Sequence, residues 1–462
     1  MITAVSLHAM QARFGGSLSA ADASVDRVCI DSRTLKPGDC FVAIVGENFD
    51  GHTFVEAAVA AGAQSLVVSQ AWAKQHAPLP VPTWQVANTT EALWQFARIQ
   101  REHFQGPVVA ITGSAGKTTV KQMLAAIGQA AFGADAVLFT QGNLNNHIGV
   151  SLTLFSLTPA HRFAVIEMGA SGPGEIAPLA WQAQPSVSVV NNVMPVHVEG
   201  FGSVAGVADT KSAIYDGLSA EGVAVINADD GFAPAFKQKN LNRQQMTFSL
   251  ADSAADVYAS DVENAELHAR FMLHSPHGSQ LIQLPVAGIH NVGNALCAAA
   301  CALASGISLD IIARGLAGFE SAKGRYHVIK VSDRLTVIDD TYNANPEAVK
   351  AALRAQASFT TPRWLVLGDM GELGPQATEM HADVGTFARD LGVEKVFTVG
   401  TLSQATSAAA GGLHFETQAA LIAALQDDIR RQAGPTTILI KGSRSARMEF
   451  VVQALNNNGG VH

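Results

Sequence analysis

The sequence predicts an α/β protein of three domains with parallel sheets, and three observations support that fold class. The chain has 462 residues, about three times the usual length of one domain. Its strongest apolar runs are continuous, as in parallel strands that are buried on both faces. Helical patterns follow many of these runs, as expected for repeated β–α units.

The composition is that of a folded protein with a net negative charge. Apolar residues make up 48% of the chain, which excludes a disordered or collagen-like polypeptide. The 30 basic and 39 acidic side chains give a net charge of −9. Because proteins bind nucleic acid through broad basic surfaces, we expect no nucleic-acid partner. Phosphate binding at a local site stays compatible with this charge.

The cysteines indicate a reduced compartment, and the length of the apolar runs bears on membrane insertion. Four cysteines without a Cys-x-x-Cys pair favour neither a disulfide framework nor a structural zinc site. Cys297 and Cys301 lie one helical turn apart in an alanine-rich run, so we expect them to pack in the core. The N-terminus shows no secretory signal. The longest apolar run, 295–304, is shorter than the roughly 20 residues that span a bilayer. We therefore expect a cytoplasmic protein without membrane insertion.

Residues 1–84 are predicted to form a small α/β domain. Two apolar strands flank one helical pattern at 53–63, and these strands are CFVAIVG and SLVVS. The segment QHAPLPVPTWQV contains three prolines and is predicted to be the exit from the domain. The boundary at residue 84 follows from that segment.

Residues 85–316 are predicted to form a central domain on a parallel sheet. A helical stretch at 90–104 leads into it, and the predicted strands are PVVAIT, RFAVIEMG, SVSVVNNV and GVAVINAD. The ends of these strands lie at the edge where open α/β sheets bind ligands. They carry the polar residues Thr112, Glu167, Asn192 and Asn227. Residues 245–288 contain shorter, more alternating strands, which predict an appended β-rich piece.

Residues 317–462 are predicted to form a Rossmann-like α/β domain. Its predicted strands are LTVIDD, RWLVLGD, KVFTVG and TTILIKG. Its predicted helices are PEAVKAALRAQ, ALIAALQDDIRRQ and SARMEFVVQAL. Pro346 stands at the predicted start of the first of these helices, a position that proline favours.

A phosphate-binding loop is the sharpest motif in the sequence. It follows a buried strand, precedes a helix and consists of Gly113, Ser114, Ala115, Gly116, Lys117, Thr118 and Thr119. Lys117 is expected to reach the terminal phosphates of a nucleotide, and Thr118 is expected to place its hydroxyl on Mg²⁺. Ile111 stands where the usual pattern has its first glycine, so the loop is a shortened variant. The alternative is a glycine-rich turn with a chance Gly-Lys-Thr.

Several polar residues of the central domain are candidates whose role the pattern alone leaves open. Glu167 is either a magnesium ligand or a cap of the next helix. His197 and Lys211 are candidates for metal or catalytic work, with an ordinary structural or solvated role as the alternative. Asn145 and Asn146, in the run QGNLNNHIGV, are either site residues or members of a turn.

A second group of candidates lies farther along the chain. His290, Asn291 and Asn294 open a helix, where they are either caps or amide groups for an adenine edge. Arg325 is a candidate clamp for a terminal phosphate, because guanidinium binds phosphate through two hydrogen bonds.

The acidic pair Asp339 and Asp340 closes a predicted strand. Paired acids suggest general acid–base work. A hydrogen bond that one of the two carboxylates accepts from a ribose hydroxyl is equally compatible with the pattern.

Eight motifs together resemble those of the Mur ligases, ATP-dependent amide-forming enzymes of bacterial peptidoglycan synthesis. They occur in this order across nearly the whole chain: TGSAGKTT, GNLNNHIGV, EMGASGPGEI, NNVMPVHVEGFGS, GIHNVGNALCA, DDTYNANPEA, LGDMGELG and KGSRSARME. The runs DDTYNANP and NLNNHIG are the most specific. The shortened phosphate loop is a feature of this family. The N-terminal run IDSRTLKPGDCFVAIVGENFDGHTF is similar to the UDP-substrate domain of members that add the third residue or a dipeptide.

The resemblance implies roles for residues of the central domain. Lys117 would contact ATP phosphates, while Thr118 and Glu167 would serve a first magnesium ion. His197 would serve a second metal ion. Lys211 matches a lysine that related ligases carry as a carbamate, which turns a cation into an anionic metal ligand.

The resemblance also implies residues for the nucleotide and for both substrates. Asn145 and Asn146 are expected beside the reacting groups. The nucleotide side would comprise His290, Asn291, Asn294, Arg325 and either Asp339 or Asp340 at the ribose. The UDP-sugar pocket would comprise Ser32, Arg33, Asp50, Gly51 and His52. The residues near the incoming dipeptide or the phosphates would be Asn343, Asn345, Lys441 and Arg444.

The reaction implied by the resemblance is acyl-phosphate ligation with ATP and Mg²⁺, expected as two ions. A carboxylate of UDP-N-acetylmuramoyl-tripeptide would attack the γ-phosphate, and the amine of D-alanyl-D-alanine would then displace phosphate to form an amide. The third residue of the tripeptide, lysine or diaminopimelate, stays open, and we expect a monomer.

Two alternatives accompany this interpretation. One is another ligase of the superfamily, such as the tripeptide synthetase or a folylpolyglutamate synthetase. The latter lacks an N-terminal UDP-sugar domain, so the DSR and DGHTF runs argue against it. The other is a P-loop NTPase that uses ATP for movement or signalling, and such a protein would hydrolyse ATP without needing an amine.

Overall fold

The fold is α/β throughout, with three larger sheets of five, nine and six strands in chain order. The computed structural model describes residues 1–19, 21–46, 49–76, 78–195 and 198–457, without the side chains of residues 198, 199 and 457. His197, predicted to serve a second metal ion, lies outside these residues. No helix in the described part of the chain is both long and apolar enough to cross a membrane.

The N-terminal domain is built on the five-stranded sheet. Its elements are β1 (Val5–Ser6), α1 (Leu7–Phe14), β2 (Ser17–Leu18), β3 (Ser24–Val25), β4 (Val28–Cys29), β5 (Cys40–Val42), α2 (Val55–Ala60), β6 (Ser65–Ser69), α3 (Gln70–His76), β7 (Thr83–Val86) and α4 (Thr89–Glu102). The strand order is β2-β7-β6-β5-β4, in which β4 to β7 are parallel and β2 is antiparallel. Strands β1 and β3 form a separate antiparallel pair.

The predicted boundary at residue 84 falls inside a strand of this domain. β7 covers that position, and helix α4 contributes Ala92 and Phe96 to the same apolar core as Trp84. The three prolines precede β7, so their segment leads into the last strand of the sheet and not out of the domain. A short loop then connects α4 to the central domain.

The central domain is built on the nine-stranded sheet. Its elements are β8 (Val108–Thr112), α5 (Lys117–Phe132), β9 (Val137–Phe139), α6 (Gly149–Phe155), β10 (Phe163–Glu167), α7 (Ile176–Ala183), β11 (Val187–Val190), α8 (Val198–Phe201), α9 (Val204–Ser212), β12 (Val223–Asn227), α10 (Ala233–Lys239), β13 (Gln244–Ser249), β14 (Val257–Asn264), β15 (Ala269–Ser275), β16 (Gly278–Leu284), α11 (Ile289–Ala304) and α12 (Leu309–Ala317). The order is β16-β15-β14-β13-β12-β11-β8-β10-β9. The four predicted parallel strands are present, and β8, β10 and β12 end at Thr112, Glu167 and Asn227 as predicted, whereas β11 ends at Val190, two residues before Asn192.

The β-rich piece predicted at 245–288 is a continuation of the central sheet. β13 lies parallel to β12 and β14 lies parallel to β13, and only β15 and β16 are antiparallel. Strand β14 was not predicted, because most of its side chains are half-buried or exposed and it lacks a continuous apolar run. The sheet therefore changes from parallel to antiparallel at β14.

The C-terminal domain is built on the six-stranded sheet. Its elements are β17 (His327–Ser332), β18 (Leu335–Asp340), α13 (Pro346–Gln356), β19 (Arg363–Gly368), α14 (Ala377–Asp390), β20 (Lys395–Val399), α15 (Gln404–Ala410), β21 (Leu413–Phe415), α16 (Gln418–Arg431), β22 (Thr436–Lys441) and α17 (Glu449–Asn457). The order is β17-β18-β22-β19-β20-β21, with only β17 antiparallel. The predicted strands are all present, while β17, β21, α14 and α15 were not predicted.

The central and C-terminal domains share one apolar core. Leu124 of α5, Leu296 of α11 and Leu316 of α12 belong to the same buried cluster as Val349 and Leu353 of α13. This continuity holds the C-terminal domain against the central domain, so that the cleft between them has defined walls.

Helix α11 lies at the centre of this core, and its small side chains allow close packing. Cys297 and Cys301 are buried there and free, as predicted from their spacing. Helices α12 and α5 also approach closely, since a Cβ added at Gly315 would lie 2.4 Å from Ile127 Cα.

Candidate active site

The phosphate-binding loop connects β8 to α5 at the carboxyl edge of the central sheet. Gly116 caps the helix with φ +77°, a conformation that favours glycine. A Cβ at this position would lie 2.4 Å from Asn294 Oδ1 and 2.6 Å from Asn191 Nδ2. The loop therefore needs glycine both for its backbone and for the space beside two asparagines. Lys117 Nζ donates to Gly113 O at 2.6 Å, and burial lowers the pKa of Lys117.

Two asparagines after β11 hold the shape of the loop. Ala115 N donates to Asn192 Oδ1 at 2.8 Å, and Asn191 Nδ2 donates to Ala115 O at 2.9 Å. Ser114 N donates to Asn192 O at 2.9 Å. The amide and carbonyl of Ala115 are thus fixed, which leaves the neighbouring backbone to face a phosphate.

Glu167, at the end of β10, lies at the centre of the polar site. Its Oε1 accepts hydrogen bonds from Asn145 Nδ2 at 2.9 Å and from Thr118 Oγ1 at 3.3 Å. Its Oε2 lies 3.1 Å from Lys121 Nζ. Burial opposes ionisation of this carboxyl, but Lys121 and Lys117 outweigh burial and hold its pKa below the usual value. Glu167 is therefore an ionised carboxylate beside the phosphate loop, and it caps no helix.

The donor atoms around Thr118 fit a magnesium ion that is shared with phosphates. A hydroxyl and a carboxylate are the oxygen ligands that Mg²⁺ prefers. Among the described residues no group of three or more His, Cys, Asp or Glu side chains could hold a metal ion. Thr118 and Glu167 would therefore supply part of the coordination, and phosphate oxygens and water would supply the rest. The expected second ion involves His197 and stays a prediction.

Arg325, on the C-terminal side of the cleft, contacts Thr118 of the phosphate loop. Its Nη2 donates to Thr118 Oγ1 at 3.1 Å, and its guanidinium lies 3.9 Å from the ring centroid of Tyr342. The Nε atom is buried and has no hydrogen-bond partner among the described residues. A buried cationic donor without an acceptor suits an anionic ligand, as predicted for a phosphate clamp.

The two adjacent aspartates at the end of β18 have different surroundings. Asp339 is buried and accepts from Gly324 N at 3.0 Å and from Thr341 Oγ1 at 2.6 Å. Asp340 lines the cleft and pairs with the buried Lys441 at 2.7 Å. Asp339 thus supports the backbone, and the geometry favours Asp340 for a ligand hydroxyl.

The asparagines of α11 lie behind the phosphate loop. Asn294 Oδ1 accepts from Asn191 Nδ2 at 3.1 Å, and Asn294 Nδ2 donates to Asn291 Oδ1 at 3.3 Å. Both also line the cleft, together with His290. Burial lowers the pKa of His290 to about 4, so its ring is neutral at pH 7. These residues are therefore a neutral polar wall that also supports the loop.

Lys211, on α9, is almost fully buried and does not line the cleft. Its Nζ lies 5.8 Å from the ring centroid of Phe201. Burial, assisted by the nearby charge of Lys117, lowers the pKa of Lys211 to about 7. A large fraction of its amine is therefore uncharged near neutral pH, which is the form that reacts with carbon dioxide.

The remaining predicted residues of the cleft include one that caps a helix. Asn146 Oδ1 accepts from Gly149 N at 2.8 Å, at the start of α6. Asn345 Oδ1 accepts from Ala348 N at 2.8 Å and caps α13. Asn343 O accepts from Lys441 Nζ at 2.8 Å, and Arg444 pairs with Glu449 at 2.9 Å. Much of this wall is therefore held by its own hydrogen bonds.

A single cleft of about 910 Å³ brings these residues together. Its walls come from the central and C-terminal domains, and they include most of the predicted residues: Ser114, Ala115, Gly116, Lys117, Thr118, Thr119, Asn145, Asn146, Glu167, His290, Asn291, Asn294, Arg325, Asp340, Asn343, Asn345, Lys441 and Arg444. No described residue before Ser114 lines this cleft. Residues far apart in the sequence thus meet at one site.

The predicted UDP-sugar residues lie at a different sheet edge, in the N-terminal domain. Ser32 and Arg33 follow β4, and residues 50–52 follow β5, so both groups lie beyond the carboxyl ends of adjacent parallel strands. His52 is buried, with Nδ1 2.6 Å from Asp50 Oδ1 and Nε2 accepting from Ser69 N at 2.9 Å. Arg33 is exposed and pairs with Asp31 at 2.7 Å.

Sequence reasoning missed three residues of the main site. Lys121 pairs with Glu167, and Asn191 donates a hydrogen bond to the phosphate loop. The ring of Tyr342 lies against the guanidinium of Arg325. Lys121 lies four residues after Lys117 among buried positions of α5, and that spacing was an available signal. No comparable signal marks Asn191 or Tyr342, because their partners are distant in sequence.

Comparison with known protein families assigns the chain to one of them. The Mur ligase family catalytic domain matches residues 24–101, the Mur ligase middle domain matches residues 111–302, and the Mur ligase glutamate ligase domain matches residues 324–444. The chain belongs to the Mur ligase family. Its predicted class, an ATP-dependent ligase, is confirmed by this membership.

Three relatives at the sequence level match this chain over nearly its whole length. The UDP-N-acetylmuramoyl-tripeptide–D-alanyl-D-alanine ligase of Escherichia coli is 42% identical over 447 residues, which are 96% of each protein. The enzyme of the same name from Haemophilus influenzae is 38% identical over 94% of each protein. The Bacillus subtilis enzyme of that name is 32% identical over 93% of this chain and 92% of its own.

Solved structures show the same architecture. MurF from Acinetobacter baumannii superposes with a TM-score of 0.91 at 34% identity, over 99% of both chains. MurF from Thermotoga maritima, in complex with ADP, superposes with a TM-score of 0.82 at 26% identity. The match covers 94% of this chain and 97% of that chain. The folylpolyglutamate synthase of Mycobacterium tuberculosis superposes with a TM-score of 0.63 at 18% identity, over 81% of this chain and 95% of that chain. At this identity the similarity shows the fold alone.

Proposed function

We propose that the chain joins D-alanyl-D-alanine to UDP-N-acetylmuramoyl-tripeptide at the expense of ATP. The products would be UDP-N-acetylmuramoyl-pentapeptide, ADP and phosphate. The cleft carries this proposal, because it places the phosphate loop of the central domain against Arg325 of the C-terminal domain. The names of the full-length relatives support the choice of substrates.

The cleft is suited to bringing anionic groups together. A carboxylate that attacks the γ-phosphate must approach another anion, and Lys117 and Arg325 supply positive charge at that place. The amine of the dipeptide would then attack the acyl phosphate, and phosphate would leave as the amide forms. The buried donor Arg325 Nε, which has no partner among the described residues, would bind a phosphate oxygen.

We propose that Thr118 and Glu167 hold a magnesium ion during this reaction. Such an ion supplies charge neutralisation to the reacting phosphates. A second ion, with His197 and a carbamate of Lys211 among its ligands, completes the proposal. The low pKa of Lys211 supports the carbamate, because the uncharged amine is its precursor.

The C-terminal wall of the cleft would receive the dipeptide. Asn343, Asn345 and Arg444 lie on this wall, beside Lys441, which already neutralises Asp340. Asp340 would accept a hydrogen bond from the ribose. The edge of the N-terminal sheet, with Ser32, Arg33 and residues 50–52, would hold the UDP-sugar.

We propose a monomer that acts in the cytoplasm, where ATP is available and thiols stay reduced. The four free, buried cysteines are compatible with that compartment. Sedimentation at several protein concentrations would test the monomer, and a concentration-dependent mass would contradict it.

An isotope transfer experiment tests the proposed chemistry. UDP-N-acetylmuramoyl-tripeptide labelled with ¹⁸O in its reacting carboxylate is incubated with ATP, Mg²⁺ and D-alanyl-D-alanine. An acyl phosphate requires that one labelled oxygen per turnover appears in the released phosphate. Released phosphate without label, formed together with pentapeptide, would contradict the acyl-phosphate route.

A further inference from the structure

Lys121 is a buried cation that the proposed chemistry does not use. It lies on α5 one turn after Lys117, and its side chain is 3% exposed. Its Nζ is 3.1 Å from Glu167 Oε2 and 3.5 Å from Gly142 O. The Glu167 side chain is itself 3% exposed. The pair therefore lies inside the protein, directly behind the phosphate loop.

The two oxygens of Glu167 have separate partners. Oε1 accepts from Asn145 and Thr118, at the side where Thr118 lines the cleft. Oε2 makes no hydrogen bond of good geometry with any residue that the structure describes, and Lys121 is its ion-pair partner. The backbone of Glu167 is also fixed, because its amide donates to Thr140 Oγ1 at 2.9 Å. Lys121 thus contacts the carboxylate oxygen that does not bond to Thr118.

Stability alone is a weak reason for such a pair. Taking both charges out of water carries a large desolvation cost, and an apolar pair of similar size is often at least as stable. Orientation of a ligand is a better reason, since partners behind metal ligands fix their geometry and affect metal affinity about 10- to 100-fold.

We propose that Lys121 is a positioning residue that holds Glu167 Oε2, so that Oε1 is presented beside Thr118 as a single-oxygen ligand for a divalent cation. The inference rests on the proposed magnesium site at Thr118 and Glu167. It adds a residue of α5 that reaches the cation only through Glu167.

Metal binding by the full-length protein tests this role without turnover. Free Mn²⁺ is measured by electron paramagnetic resonance in the presence of ADP, for the unaltered protein and for K121M, K121R and E167Q. The control is K395M. Lys395 lies on β20, away from the cleft, and its Nζ pairs with Asp428 Oδ2 of α16 at 2.9 Å. Thermal unfolding of each protein without ligands is recorded in parallel.

The proposal predicts that K121M raises the Mn²⁺ dissociation constant about tenfold, that K121R restores most of the affinity, and that K395M leaves it unchanged. Unchanged or tighter Mn²⁺ binding by K121M, with weak binding by E167Q, would overturn the role of Lys121 and leave the metal site intact. Unchanged binding by E167Q would instead overturn the proposed site. If K121M does not fold, K121L carries the same test, because it also removes both the donor and the charge.

Discussion

Burial changes what the Lys211 amine can do at neutral pH. With the pKa lowered to about 7, the uncharged form is abundant at pH 7 to 8. Carbon dioxide adds to that form and yields an anionic carbamate. The same residue on the surface would be almost entirely protonated under these conditions.

Replacement of Lys211 by alanine is expected to lower kcat by about 100-fold, if the carbamate serves a metal ion as proposed. Short carboxylic acids such as acetate should restore part of the activity, because they supply the missing anionic oxygen. Steady-state assays with increasing acetate measure this rescue. No rescue in a variant that keeps its thermal transition would contradict the carbamate.

Lys211 also predicts a pH dependence of stability. Its pKa is about 7 in the folded protein and 10.5 when unfolded, so the unfolded state binds more protons between these values. The free energy of unfolding therefore rises as the pH increases from about 7 to 10.5, because the cost of burying a charged Lys211 disappears over this range. Below pH 7 the side chain is charged in both states and the full cost of burial remains. K211M should remove that slope.

Urea unfolding in buffers free of carbon dioxide measures this effect. The midpoint difference between K211M and the unaltered protein should be largest near pH 6.5 and should shrink by pH 9.5. The control is K237M, at an exposed position. Its urea midpoint should differ from that of the unaltered protein by the same amount at every pH. A K211M difference that does not change with pH would contradict the burial argument.

Glu372 has a backbone conformation that favours glycine. Its φ is +61°, in the loop after β19 that lines the cleft. The loop is fixed just before Glu372, since Met370 N donates to the buried His381 and Asp369 accepts from three backbone amides after β20. The surrounding contacts therefore impose the strained conformation.

Glycine at position 372 should be about 1 kcal/mol more stable than alanine there, because only alanine retains the penalty of a positive φ. Both variants lose the carboxylate, so their comparison isolates the backbone term. Chemical denaturation of E372G and E372A measures the difference. Equal stability of the two variants would contradict it.

Helix α13 shows how local sequence and function overlap in one element. Pro346 starts the helix, and Asn345 both caps it and lines the cleft. The helix was predicted with the observed bounds from its helical pattern and from Pro346 at its first position.

Replacement of Asn345 by alanine should lower stability by about 1 kcal/mol, because the cap is lost. N345S keeps a capping oxygen and should retain most of the stability. The KM for D-alanyl-D-alanine, measured for both variants, separates the two roles. If N345S is stable but has a raised KM, Asn345 contacts the dipeptide, and an unchanged KM would limit it to capping.

The elements that sequence patterns predicted and those they missed differ in burial. Interior strands such as β8, β10 and β22 are buried at every position and carry a continuous apolar run, and they were found. Strands β17 and β21 lie at sheet edges with mixed exposure, so no continuous run marks them.

The same distinction applies to the candidate site. Motif residues such as Lys117 and Glu167 were found, since their roles follow from local chemistry. Asn191 braces the loop through contacts more than 70 residues away, which no local pattern reveals.

At the scale of the whole molecule, the cleft depends on how two domains meet. Besides the shared apolar core, Glu266 Oε1 accepts from Thr360 N at 2.9 Å across the same boundary. This arrangement brings Arg325 to the phosphate loop, which neither domain achieves alone. It also explains how a protein with net charge −9 can bind polyanions, because its positive groups lie where phosphates would bind.

The central claim is that ATP cleavage in this cleft is coupled to amide formation. Phosphate release is measured with ATP, Mg²⁺ and UDP-N-acetylmuramoyl-tripeptide, with and without D-alanyl-D-alanine. We predict that sustained release requires the dipeptide and matches the amount of pentapeptide formed. Release at the same rate without the dipeptide would contradict the claim and would favour an NTPase.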